Sequence, residues 1–253
     1  MLQVTNISVL YPNGVSALEP TTLGFANGAF TVLLGSSGAG KSTLLRTLNG
    51  LIRPTTGEVS RNGSGSIFSS VTALRTHRRS TGMVFQQHHL IGRLTVLQNV
   101  MMGRLGRRGT LTSILPASRR DTMLALAAID RVGLIERALE RSDNLSGGQQ
   151  QRVGIARAMA QEPTILLADE PVASLDPTTA ERVLSDLHRI CKEDGLTAVI
   201  SLHQVEFARR FADRIVGLRR GQIVFDGTAK QLDSAAVARI YAAGDPPPAL
   251  AAE

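Results

Sequence analysis

Nine residues, Gly35 to Thr43, constrain this chain more than any other stretch. They read GSSGAGKST and fit the phosphate-binding pattern G-x-x-x-x-G-K-[ST], with Gly35, Gly40, Lys41 and Ser42 in the required places. The preceding AFTVLLG has the continuous apolar run of a buried strand, and the following KSTLLRTLNGL carries Leu44, Leu45 and Leu48 on one side of a helix. Strand, glycine loop and helix are the context in which the motif has a physical meaning. Glycine lets the backbone curl so that the N–H groups of Ser36, Ser37, Gly38, Ala39 and Gly40 converge on an oxyanion. The positive end of the helix adds to the same field. A triphosphate is the expected ligand, with Lys41 against its β- and γ-phosphates and the Ser42 and Thr43 end of the loop facing a bound Mg²⁺ through the Ser42 hydroxyl.

A chain of 253 residues is long enough for one sizeable α/β domain with a subdomain. No apolar run of the length needed to cross a bilayer occurs, and MLQVTNISVLYPNG lacks the pattern of a secretory signal, so a protein of a reducing compartment without membrane spans is expected. The single cysteine, Cys191, excludes an internal disulfide and falls on the apolar face of a helix. The net charge is +7, but the basic residues are scattered and no aromatics interleave with them. Nucleic acid is therefore not expected as a partner.

Taken in order, residues 2 to 10 alternate like a strand, and Pro12-Asn13-Gly14 forms a turn beyond it. Tyr11 stands ahead of that turn, where it can stack on an adenine ring or simply close the end of the strand. Residues 60 to 80 are rich in Ser, Gly and Arg and predict only a short helix near Val71 to His77. TGMVFQQ reads as a strand ending in glutamines, so Gln86 can reach a metal or a γ-phosphate or simply lie on the surface. His88 and His89 are adjacent in sequence and have no accompanying ligand pattern, so no metal site is assigned to them.

LSGGQ at residues 145 to 149 opens a second helix suited to an anion: Ser146 is a good N-cap, and Gly147 and Gly148 leave backbone N–H groups bare beside Gln149. ILLADE follows as a buried strand with Asp169 and Glu170 at its end. Ligands of parallel sheets bind beyond the carboxyl ends of strands, so these carboxylates are expected beside the phosphate loop, Asp169 holding Mg²⁺ and Glu170 polarising water. A helix over about Thr178 to Asp194 buries Ala180, Val183, Leu184, Leu187, Ile190 and Cys191. LTAVISLH ends another buried strand at His203, a position from which a histidine can reach a phosphate or hold Glu170.

These motifs, in this order and with SLD at Ser174 to Asp176, resemble the nucleotide-binding subunits of ATP-binding cassette transporters over residues 1 to about 235. The resemblance implies a P-loop NTPase core of α/β class with an N-terminal antiparallel β-subdomain and a helical signature subdomain. The nucleotide-binding domain would cover residues 1–240, the helical part about 88–160 and a C-terminal tail 241–253. It further implies ATP and Mg²⁺, and a head-to-tail homodimer in which the LSGGQ of one copy completes the nucleotide site of the other. Tyr11 would stack on adenine, Gln86 would touch Mg²⁺ and sense a membrane partner, Asp176 would cross the dimer interface, and His203 would be the switch histidine. Two permease subunits and, indirectly, a periplasmic solute-binding protein would be the partners, at the cytoplasmic face of the bacterial inner membrane.

MMGRLGRRGTLTSIL, DEPVASLDP and ISLHQVEFARRFADRIVGLRRGQIVFDG are similar to the ATPase subunit of phosphonate importers. Importers of phosphate or amino acids, and cassette ATPases acting on DNA or ribosomes, are the alternatives. The latter usually carry a long coiled coil or a second cassette, and neither pattern occurs here.

Overall fold

In this computed structural model the described residues are 1–87, 89–107 and 118–241. In chain order the strands and α-helices are β1 (Leu2–Leu10), β2 (Ser16–Phe25), β3 (Phe30–Leu34), α1 (Lys41–Leu48), β4 (Thr56–Arg61), β5 (Ser64–Ser66), α2 (Val71–Arg79) and β6 (Thr81–Val84). They continue with α3 (Val96–Met101), α4 (Arg119–Arg131), α5 (Gly147–Ala160), β7 (Ile165–Ala168), α6 (Pro177–Glu193), β8 (Thr197–Ser201), α7 (Val205–Phe211), β9 (Arg214–Arg219), β10 (Gln222–Gly227) and α8 (Ser234–Ile240). The chain divides into two compact units, Met1–His77 with Thr197–Glu253, and Arg78–Leu196.

The first unit contains an antiparallel sheet in the order β2-β1-β4-β5, in which residues 2 to 10 form the strand their alternation predicts. Leu2 lies opposite Phe25 and Val4 opposite Leu23, which puts the apolar set of both strands on one buried face. The strands that carry the phosphate loop form a second set. There β3 pairs in parallel with β8 on one side and β9 on the other, while β10 returns antiparallel to β9 through a turn at Arg220 (φ 48°) and Gly221 (φ 76°). Every residue of β3 and of β8 is buried, the signature of strands covered on both faces.

The second unit pairs β6 with β7 in parallel, Thr81 opposite Ile165 and Val84 opposite Ala168. Its helices α3, α4 and α5 pack against one another, and α6 packs on α5. The predicted helix over 178 to 194 is α6, shifted by one residue because Asp176 caps it and Pro177 occupies its first turn. Its buried face is the expected one, Cys191 included. Fully burying each Val, Leu or Ile there contributes about 1.5–3 kcal/mol.

Two expectations shift in position. The strand read through Gln87 ends at Val84, so Gln86 lies in the following loop. The irregular stretch at 60 to 80 holds a third antiparallel strand pairing, β4 with β5, and a helix that continues past His77 to Arg79. The His77 ring bonds to the Leu48 carbonyl at 2.7 Å and is buried, which anchors α2 within the first unit. Among the described residues no helix is long and apolar enough to cross a membrane. His88, the part of the basic stretch from 108 to 117, and the expected tail from 242 onward lie outside the described residues.

Candidate functional site

The phosphate loop joins β3 to α1 in the first unit. Gly40 immediately precedes the helix with φ 104°, no side chain caps it, and the first turn contains no acidic residue. The helix therefore presents its backbone N–H end to whatever the loop holds. A Cβ on Gly40 would meet the Ala17 carbonyl oxygen at 2.6 Å, and one on Gly35 would meet the Leu218 carbonyl oxygen at 2.4 Å. The loop is wedged between the start of β2 and the β9–β10 hairpin, whose Gly221 N–H donates to the Ala39 carbonyl at 3.0 Å. The cradle is held from outside by backbone, which leaves only glycine room at its two ends.

Lys41 is 3% exposed, and its Nζ donates to the carbonyls of Gly35 at 2.7 Å and Ser36 at 3.0 Å. The ammonium thus stays inside the loop's own curl, its charge close to the atoms that would surround a phosphate. Ser42 and Thr43 follow in the first turn of α1, and Ser37 and Gly38 are exposed at the loop's crest. Tyr11 closes one flank. Its hydroxyl and that of Thr43 are 3.3 Å apart, and a turn through Tyr11, Gly14 and Val15 fixes its backbone. The hydroxyl contact tethers the tyrosine to the loop's helix, a partner that strand periodicity gave no sign of.

His203 lies on the same side of the first unit. The parallel register sets Leu33 of β3 opposite Ser201 of β8, and the Leu202 N–H donates to the Leu33 carbonyl at 3.0 Å. Gly35 and His203 each come two residues after a paired position, so both leave the sheet at the same level. His203 is exposed.

In the second unit the signature helix α5 begins at Gly147 with a complete capping box. The Ser146 hydroxyl accepts from the Gln149 N–H, and the Gln149 side-chain oxygen accepts from the Ser146 N–H at 2.9 Å. The box uses the third N–H of the helix and leaves Gly147 and Gly148 at its head. A Cβ on Gly148 would come within 2.5 Å of the Thr179 methyl, so small size at this position also seats α5 against α6.

Asp169 directly follows β7, is 4% exposed, and its N–H donates to the Val84 carbonyl at 2.9 Å. Glu170 is half-buried and has φ 46°, a left-handed backbone that costs a glutamate on the order of 1 kcal/mol or more. The chain turns sharply there, just beyond the end of β7. Asp176 caps α6: its carboxylate accepts from the Thr179 N–H at 3.0 Å. The Thr179 side chain and backbone together hold its pKa below the ordinary carboxylate range. Gln86 is exposed in the loop after β6.

That loop is organised by His89, to which the sequence assigns no metal, and by Asn99, which the motifs do not include. The His89 carbonyl accepts from Arg157 of α5 at 2.8 Å, and the His89 ring sits edge-on to Phe85, with 5.2 Å between centroids. Asn99 is fully buried in α3, its amide oxygen accepting from the Ile91 N–H and its NH₂ donating to the Ile91 and Thr95 carbonyls and the Ser142 hydroxyl. It thereby joins the segment after Gln86 to the one leading into LSGGQ. An asparagine flanked by apolar residues in VLQNVM is the signal that would have found it.

Taken unit by unit, the groups have the chemistry of the expected ligands: in the first, a buried ammonium, a glycine-framed amide cradle and the Ser42 hydroxyl, and in the second, the Asp169 carboxylate and the Gln86 amide, oxygens of the hard type that Mg²⁺ prefers.

Comparison with known proteins identifies the family. The profile of the family described as ABC transporter matches residues 18–173. The chain is 60% identical over 242 residues to Phosphonates import ATP-binding protein PhnC 2 of Cupriavidus metallidurans, covering 96% of this chain and 87% of that one. It is 58% identical over 246 residues to Phosphite import ATP-binding protein PxtA of Stutzerimonas stutzeri, with the same coverage. Among solved structures, the dimeric ATP-binding cassette MJ0796 in a post-hydrolysis state bound to ADP and phosphate superposes with a TM-score of 0.79 at 35% identity, covering 90% of this chain and 99% of that one. CbiO1 from Clostridium perfringens, part of the transporter complex cbiONQ, gives 0.81 at 28% identity, with 94% and 92% covered.

Proposed function

The chain belongs to the ABC transporter family, and from that premise we propose that it is the ATP-hydrolysing subunit of an importer for phosphonates. The observation that carries the ATPase reading is the loop of Gly35 to Thr43, with Lys41 buried inside a backbone-framed cradle. The solute is supported by the names of relatives 60% and 55% identical, from Cupriavidus metallidurans and a Nostoc strain. The phosphite importer relative at 58% makes phosphite the second candidate.

In this reading Lys41 and the amides of Ser36 to Gly40 bind the triphosphate, and Tyr11 stacks on the adenine. Ser42, Asp169 and Gln86 would hold Mg²⁺, which supplies neutralisation of charge on the phosphate oxygens. Glu170 accepts a proton from the attacking water as its oxygen bonds to the γ-phosphorus. The bond from that phosphorus to the bridging oxygen breaks, leaving ADP and phosphate. His203 donates a hydrogen bond to the γ-phosphate.

The working unit is a homodimer in which Ser146, Gly147, Gly148 and Gln149 of one copy face the nucleotide of the other, with Asp176 at the interface. ATP bridges the two copies only while its γ-phosphate is attached, so hydrolysis opens them. Two permease subunits convert that opening into transport at the cytoplasmic membrane face, and a periplasmic binding protein delivers the solute. The nucleotide-binding domain is taken as residues 1–240, with a helical insertion at about 88–160 and a tail from 241.

The test is uptake. Cells stripped of their own importer and given this chain with its permease and binding protein should accumulate an alkylphosphonate, and should cease to when Lys41 is replaced. Uptake that persists with Lys41→Ala would contradict the reading.

A further inference from the structure

Tyr241, at the end of α8, belongs to none of the motifs. Its phenol is half-buried and its hydroxyl donates to the main-chain carbonyl of His203 at 3.0 Å. Burial raises the phenol's pKa, so the hydroxyl stays protonated and able to donate. One side chain therefore holds the segment after β8, which leaves the sheet beside the first glycine of the phosphate loop.

The helix that carries this tyrosine is firmly seated. Asp233 caps α8 by accepting from the Ala236 N–H at 2.7 Å, and the Tyr241 N–H donates to the Val237 carbonyl at 3.0 Å. Ile240, the neighbouring residue, is fully buried over Gly217 of β9, where a Cβ would lie 2.6 Å from the Ile240 side chain. The bare glycine lets α8 lie close to β9, which brings the phenol within reach of His203. A mobile side chain could not set a backbone position, whereas one fixed through its own helix can.

We propose that Tyr241 is a positioning residue. Its phenol pins the His203 backbone to the end of α8 and so sets where the imidazole stands. The catalytic consequence rests on the reading of His203 as the γ-phosphate partner, while the positioning itself does not.

Both parts are tested with the full chain. In histidine-labelled protein, with His203 assigned through His203→Gln, Tyr241→Phe should displace the His203 ring resonances and leave those of His77, bonded to Leu48, in place. Unmoved His203 signals would overturn the proposal. In the complex with its permease, Tyr241→Phe removes one hydroxyl and should lower kcat about 5–10-fold with KM for ATP within about twofold, while in a His203→Ala background it should change nothing further. An equal fall in kcat in both backgrounds would overturn positioning through His203. Wild-type turnover of His203→Ala would instead remove the functional reading of that histidine, and the ring resonances would then decide the role of Tyr241 by themselves.

Discussion

The ammonium of Lys41 donates to the carbonyl of Gly35 at 2.7 Å, so the loop's one cation is bonded to the residue that opens the loop. The side chain is held inside the curl and meets an incoming phosphate without being gathered in from solvent. A lysine about 4 Å from one phosphate charge contributes on the order of 4 kcal/mol at an effective dielectric near 20. Lys41→Ala should weaken ATP binding about 10²–10³-fold, read by titration with a fluorescent nucleotide. An affinity within a few-fold of wild type would mean that the loop amides alone bind the triphosphate.

Glu170 is held in a left-handed backbone at the end of β7, and its side chain is neither fully buried nor fully exposed. Glu170→Gln preserves shape and removes the base, so turnover should fall about 10²–10⁴-fold with nucleotide binding retained. The variant should accumulate as an ATP-bound dimer on size exclusion. Turnover close to wild type would move the base to another residue.

Gly40 shows what the cradle costs to alter. Its φ of 104° disfavours any L side chain, and a Cβ would press on the Ala17 carbonyl at 2.6 Å. Gly40→Ala should destabilise the fold by about 2–4 kcal/mol and lower Tm by about 5–10 °C. Thermal unfolding measures it, and an unchanged Tm would show that the wedge at β2 gives way freely.

Cys191 supplies a pH signature. Burial pushes its thiol up to about 12, from an ordinary value of 9.0. Between those values the unfolded chain has released the proton and the folded chain keeps it. The thiol's contribution to stability is therefore complete below about pH 9 and is lost as pH rises toward 12. Denaturant titrations should show that decline, flattened in Cys191→Ala. At pH 8 the thiol should react with iodoacetamide only after unfolding, and rapid labelling of the folded chain would contradict the burial.

Much of the local structure around the candidate site was legible in the sequence because it is written in short patterns. Gly35 to Thr43 needs only a preceding strand and a following helix, and the Ser146 to Gln149 box closes within four residues. Helix α6 was readable from its 3.6-residue apolar period, displaced by one residue because Asp176 acts as a cap. What escaped depends on distant partners. Nothing near Tyr241 indicates that its phenol meets a residue 38 positions earlier. Asn99 likewise hides in an apolar run, because its worth lies in bonds to Ile91 and Ser142. The strand ends at Val84 although it reads on through Gln87, because consecutive glutamines contain no breaker to mark the end, while His89, with φ 46°, turns the chain where it contacts Phe85 and Arg157.

The most direct test of the central claim is ATP turnover by this chain reconstituted with its permease and binding protein, with an alkylphosphonate, phosphite, phosphate or an amino acid supplied in turn. Alkylphosphonate should raise turnover, phosphite should be the only close competitor, and Glu170→Gln should abolish the rise. Stimulation by phosphate or an amino acid alone would contradict the phosphonate assignment, and turnover indifferent to every solute would contradict coupling to import itself.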